Sequence, residues 1–125
     1  MDKYIINGVE VEYDTFDMDA MQARIEELRA LDEVDKETVE GEDVFARLRR
    51  LCEARLDFFD AVLGGGMAEK IFGHKVNAQN IMRGFEEFNH DVNEHIAELP
   101  AVAKGMRPVQ PAPMNRAQRR AARQS

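Results

Sequence analysis

The chain has 125 residues, a third of them charged, a single cysteine and a net charge of −7. Such a length supports one modest hydrophobic core and is too short for two, and the lone Cys52 excludes an intrachain disulfide and redox chemistry between paired thiols. No apolar run approaches the ~20 residues of a membrane span, and residues 1–8 lack the basic flank and apolar stretch of a signal peptide, so a cytoplasmic protein that does not enter the membrane is expected.

Charge is distributed unevenly along the chain. Every Asp and Glu lies at or before Glu98, whereas Lys104, Arg107, Arg116, Arg119, Arg120 and Arg123 follow residue 100 with no acid among them. The net −7 therefore divides into −13 for the body and +6 for the tail. An acidic body repels nucleic acid, while a basic tail is drawn to acidic surfaces.

Residues 4–13 read as a two-stranded hairpin. Asn7-Gly8 accepts the positive φ angles of a type I′ turn, and β-branched residues flank it on both sides. A hairpin this short is marginal alone, so it must pack on a helix, pair with another chain or fray. Thr15 or Asp17 then caps a first helix ending near Glu33. Met18, Met21, Ile25, Leu28 and Leu31 recur at three and four residues on its inner side, with Arg24 and Glu27 outside. Residues 32–41 are acidic and weakly periodic, which predicts a connector with at most a turn of helix.

A second helix is predicted from near Glu42 to Val62 or Leu63, with Val44, Leu48, Leu51, Arg55, Phe58, Phe59 and Val62 facing inward. Cys52 is expected half-buried and reduced, and Arg55 is expected to lay its stem over apolar surface with its charge in water. Gly64 supplies the helix stop. A short helix follows over residues 67–72, bounded by the Gly64-Gly65-Gly66 triplet and Gly73. Asn77 caps a last helix reaching Leu99, with Ile81, Phe85, Phe88, Val92, Ile96 and Leu99 as its stripe. Pro108, Pro111 and Pro113 predict an extended tail, and residues 115–123 form at best a marginal helix without a partner. The expected fold is thus mainly α. A small helical body of three main helices with a short N-terminal β-hairpin covers residues 1–99, and a disordered Pro/Arg-rich basic tail covers 100–125.

Catalytic patterns are weak. His90 and His95 lie about 140° apart on a helix and cannot share an ion as residues four apart do; with His74 they read as surface histidines. The run from Gly64 to Lys70 departs from the phosphate-binding spacing and has no buried strand before it, so it reads as a helix-to-helix turn. No Ser or Thr occurs between Val39 and Ser125, and Cys52 has no activating base nearby in sequence. A protein without catalytic, metal or cofactor residues is expected. The arginine-rich end offers a low-specificity signal for phosphate backbones and an equally good one for docking on a protein.

Three stretches together resemble the small tail assembly chaperones of long-tailed bacteriophages. They are Ile6-Asn7-Gly8-Val9-Glu10-Val11-Glu12-Tyr13, the central Phe58-Phe59-Asp60-Ala61-Val62-Leu63-Gly64-Gly65-Gly66-Met67-Ala68-Glu69-Lys70-Ile71-Phe72-Gly73, and the ending Asn115-Arg116-Ala117-Gln118-Arg119-Arg120-Ala121-Ala122. Family-like versions often carry an acid inside the glycine turn where this chain has Gly65. The resemblance implies a non-enzymatic protein of the host cytoplasm that binds the tape measure protein, keeps its long apolar helices soluble and is absent from the finished virion. It also implies that a longer form can arise by ribosomal frameshifting. Contacts are expected from Phe58, Phe59, Met67, Ile71 and Phe72, from the outer edge of the last helix, and from Arg116, Arg119 and Arg120 of the tail. The rival readings are a structural tail or head-completion protein and, weakest, a nucleic-acid-binding protein acting through its tail. Homo-oligomers through the hairpin edge or the amphipathic helices stay open.

Overall fold

A computed structural model describes residues 1–100 of the chain; the expected disordered tail, apart from Pro100, lies outside the described residues. The order of elements is β1 (Asp2–Ile6), β2 (Val9–Tyr13), α1 (Met18–Lys36), α2 (Val44–Leu63), α3 (Met67–Phe72) and α4 (Ala78–Ile96). The fold is mainly helical with a two-stranded antiparallel hairpin at its start, as the sequence predicts.

The hairpin forms where Asn7 and Gly8 take φ of 52° and 78°, the two positive angles of a type I′ turn. Ile6 then pairs with Val9 and Tyr4 with Val11. The two-residue side-chain period places Tyr4, Ile6, Val11 and Tyr13 inward, all buried,. What anchors this marginal element is a set of aromatic and polar contacts with the helices. Phe88 of α4 meets the Tyr4 and Tyr13 rings edge-on at 5.6 and 5.5 Å. The Asn7 side-chain amide donates to the Ile71 carbonyl at 3.0 Å, and the Tyr13 hydroxyl donates to the Ala20 carbonyl at 3.1 Å.

Asp17 caps α1, its carboxylate accepting the Ala20 N–H at 2.9 Å; Thr15 is instead fully buried and hydrogen-bonded to the Tyr4 hydroxyl. The helix runs past the expected Glu33 to Lys36, whose ammonium pairs with Asp32 one turn back at 2.9 Å,. Two positions differ from the simple stripe. Met18 in the first turn is 74 % exposed, whereas Arg24, expected outside, is only 2 % exposed. The long arginine stem carries its head across to α4, where Nε donates to Asn89 Oδ1 and Nη2 to Asn93 Oδ1, both at 2.9 Å.

Helix α2 starts at Val44 because the Asp43 carboxylate caps Ala46 N–H at 2.7 Å, and it stops at Gly64, φ 120°. Cys52 is fully buried rather than half-buried, and that burial pushes its thiol pKa up, keeping it in the unreactive protonated form. Helix α3 borrows its cap from α2: Asp60 Oδ1 accepts the Ala68 N–H at 2.9 Å. The glycine run is thus the expected helix-to-helix turn. Asn77 caps α4 at 2.9 Å. This helix ends at Ile96, three residues short of Leu99, because the last turn tightens into bonds from Glu98 N–H to His95 O and from Leu99 N–H to Ile96 O,.

Gly84 marks the closest approach of α4 to its neighbours. A Cβ there would stand 2.8 Å from Phe72 Cζ and 3.1 Å from Ile6 Cγ2. Ile6 is fully buried, and the Phe72 ring rests on Phe59 at 5.3 Å, so neither can withdraw freely. Gly84→Ala gains helix propensity of about 1 kcal/mol and loses more to overpacking, of order 1–3 kcal/mol. The expected result in urea unfolding is a net loss of stability, with Gly84→Leu failing to fold.

Candidate interaction surface

Placing the residues that the sequence singles out rearranges the expected contact surface. Phe58, Phe59 and Ile71 are 1 %, 0 % and 3 % exposed, and they pack in the core with Tyr4, Tyr13 and Phe88. The physical reason is that α3 folds back on α2. The Phe59 ring packs against Phe72 and Phe85 and is fully buried, which leaves it no free surface for a partner. Met67 and Phe72 are half-buried against the same core. Arg116, Arg119 and Arg120 lie outside the described residues.

Arg55 also differs from expectation. Its Cζ lies 4.9 Å from the centroid of the Phe85 ring, as a stem crossing apolar surface would allow, but its charge is not left in water. Nη1 and Nη2 grip the Asp35 carboxylate at 3.0 and 2.8 Å, and Nη1 also donates to Leu51 O. A planar fork suits that two-point grip.

His74 and His90 are exposed, as expected of surface histidines. His95 is not: it is half-buried, with Nδ1 3.1 Å from the Tyr4 hydroxyl and 3.8 Å from Asp2 Oδ2, and with the Phe16 ring edge-on at 4.8 Å. This group joins the end of α4 to the start of β1. Among the described residues no His/Cys/Asp/Glu cluster is arranged to hold a metal, and no helix is long and apolar enough to cross a membrane.

The feature that the residue pattern failed to reveal lies at the first turns of α2. Val44, Phe45 and Leu48 are 70 %, 79 % and 39 % exposed. Leu48 stands four residues from Val44 and three from Phe45, so the three together span about 100° of the helix surface, and Val39 of the preceding connector is exposed as well. Periodicity assigns Val44 and Leu48 to the core, because it continues the stripe that Phe58 and Phe59 occupy. The rings of α4 that touch α2 reach only its second half, at Arg55, Phe58 and Phe59. Cover begins at Cys52, about two turns beyond Val44 and fully buried, so the exposed patch is confined to the first turns. A legible signal did exist: Phe45 is an aromatic residue about 100° off the stripe marked by Val44, where a core helix would carry a polar one.

On the opposite side, roughly 135° away, the connector is held to α2 by arginines. Arg47 donates to the carbonyls of Glu37 and Asp35, both at 2.9 Å. Arg50 donates Nε and Nη2 to the Glu42 carboxylate at 2.8 and 2.9 Å. With Arg55 on Asp35, these contacts fix the tip of the α1–α2 hairpin by hydrogen bonds to charged groups.

The Arg50 hydrogen bond also lowers the Glu42 pKa. A depressed carboxylate pKa means that the clamp contributes fully above the unfolded value of about 4.3 and is lost as pH falls through the lower, folded value. Amide exchange in residues 37–43, compared at matched intrinsic rates, is expected to stay slow at neutral pH and to accelerate first on acidification. In Arg50→Ala it should be fast at both pH values.

Compared with curated proteins and with solved structures, the chain has no match. A family does match, over residues 7–123, from the hairpin turn through the helices to the basic segment. On that near-complete span, this chain belongs to the Family of unknown function (DUF6673).

Proposed function

We propose that the protein is a non-enzymatic assembly chaperone that binds the tape measure protein of a long-tailed phage in the host cytoplasm and keeps its apolar helices soluble. The observation that carries this reading is the exposed apolar side of α2 at Val44, Phe45 and Leu48, held out on an arginine-braced tip. Large apolar side chains grouped on one helix face favour association with a complementary surface, and such a face fits helix-to-helix recognition. The resemblance at the hairpin, the glycine turn and the basic ending supplies the biological setting. The contact surface moves, however, from Phe58, Phe59 and Ile71 to the first turns of α2.

Co-expression with the tape measure protein of the same genome tests the proposal. Wild-type protein should keep it soluble and co-purify with it. Phe45→Asp should lose that effect with its helical circular dichroism unchanged, because the Phe45 side chain is 79 % exposed. Ile71→Asp should lose solubilisation and fold together. Recovery of the protein in purified particles, without binding to the tape measure protein, would favour a structural tail component instead.

A further inference from the structure

We infer that Asn7 is a site of spontaneous deamidation that the docked hairpin protects and the undocked hairpin exposes. Among the asparagines of the chain, Asn7 alone precedes a glycine; Asn77, Asn80, Asn89, Asn93 and Asn115 precede Ala, Ile, His, Glu and Arg. Glycine matters because no side chain crowds its backbone nitrogen. The reaction is an intramolecular acyl transfer that consumes only water. The Gly8 nitrogen gives up its proton to solvent base and attacks Asn7 Cγ, the Cγ–Nδ2 bond breaks, and ammonia leaves. Water then opens the resulting five-membered succinimide at one carbonyl or the other, which puts aspartate or isoaspartate at position 7.

Two features of the docked hairpin oppose ring closure. Closure needs Cγ and the Gly8 nitrogen on one side of the Asn7 Cα–C bond. Asn7 has φ of 52° in a type I′ turn, where its ψ is roughly +30°, and that angle sets the two atoms on opposite sides. The side-chain amide is also tethered, Nδ2 donating to Ile71 O at 3.0 Å. The residue is nevertheless exposed, so base and water reach it as soon as the turn loosens. Undocking removes both restraints at once, because a two-stranded hairpin does not hold its own geometry in water. The product cannot return to the same contact. An aspartate offers no N–H to Ile71 O and turns acceptor against acceptor, while an isoaspartate adds a methylene to the backbone and spoils the two-residue turn that pairs Ile6 with Val9,. Modification therefore accumulates on chains whose hairpin the helices have failed to hold.

The test incubates full-length protein at physiological temperature and mildly alkaline pH, native and in urea. Peptide mapping with fragmentation that separates aspartate from isoaspartate follows residue 7. Conversion should run at least about tenfold faster in the unfolded chain, because the native rate is scaled by the small population of open hairpin. In urea below the unfolding transition it should rise in step with exchange of the Tyr4 and Val11 amides, which pair across the hairpin. Asn7→Asp installs one product directly and should speed that exchange about tenfold, the effect of losing one hydrogen bond, with helical circular dichroism unchanged. Equal conversion in folded and unfolded protein would overturn the inference. So would slower conversion at Asn7 than at the other asparagines in urea, or exchange in Asn7→Asp that matches wild type.

Discussion

Phe88 is the contact on which the rest of the structure depends. Its ring is fully buried and lies against Tyr4, Tyr13, Phe58 and Phe59, so one side chain of α4 touches both strands and α2. Edge-on geometry suits aromatic quadrupoles and adds to the gain from removing this surface from water. The hairpin has two five-residue strands and cannot hold itself together in water. It exists because Phe88 provides a floor for its two tyrosines. The tyrosine hydroxyls then reach polar partners at the rim, Thr15 and His95 for Tyr4 and the Ala20 carbonyl for Tyr13.

Where apolar contact runs out, arginine takes over. Arg24 crosses to α4 and finds two neutral amides, Asn89 and Asn93, instead of a carboxylate. Burial pushes its pKa below the ordinary value, yet a guanidinium stays charged at neutral pH. The two asparagines satisfy its donors without adding the desolvation of a second ion. Asn89 is itself fixed by donating to Phe85 O at 2.9 Å. At the other end of α1, Arg47 and Arg50 bind the connector and Arg55 binds Asp35 in the last turn of the helix, through carbonyls and carboxylates. The body is therefore held by aromatic packing and the tip by charged hydrogen bonds.

Local chemistry was the most legible part of the sequence. Asn7-Gly8, Asp17, Gly64 and Asn77 act at the positions read for them because turns and caps depend on one or two side chains and their immediate backbone. Helix faces were less legible. Periodicity separates two sides of a helix without saying whether a neighbour extends far enough to cover the apolar one, so Val44 and Leu48 were assigned to a core that does not reach them. Arg24 illustrates the converse: its charge argues for solvent, and only the distant pair Asn89 and Asn93 makes its burial tolerable. The burial of Phe58, Phe59 and Ile71 was illegible for a related reason, since a glycine-broken aromatic segment looks the same whether α3 folds back over α2 or leaves it open.

The partners of Arg24 lie 65 and 69 residues further along the chain, which affects how the protein can be made. Both the hairpin and α1 complete their packing on α4, at Phe88, Asn89 and Asn93, and α4 is the last of the described elements to leave a ribosome. Loop closure over that separation comes before any reward from the contacts it allows. Tyr4, Tyr13 and Arg24 must therefore wait for α4, whereas α1 and α2 can already pack on each other. A chain cut short within α4 would keep its α1–α2 pair and lose the floor on which the hairpin rests.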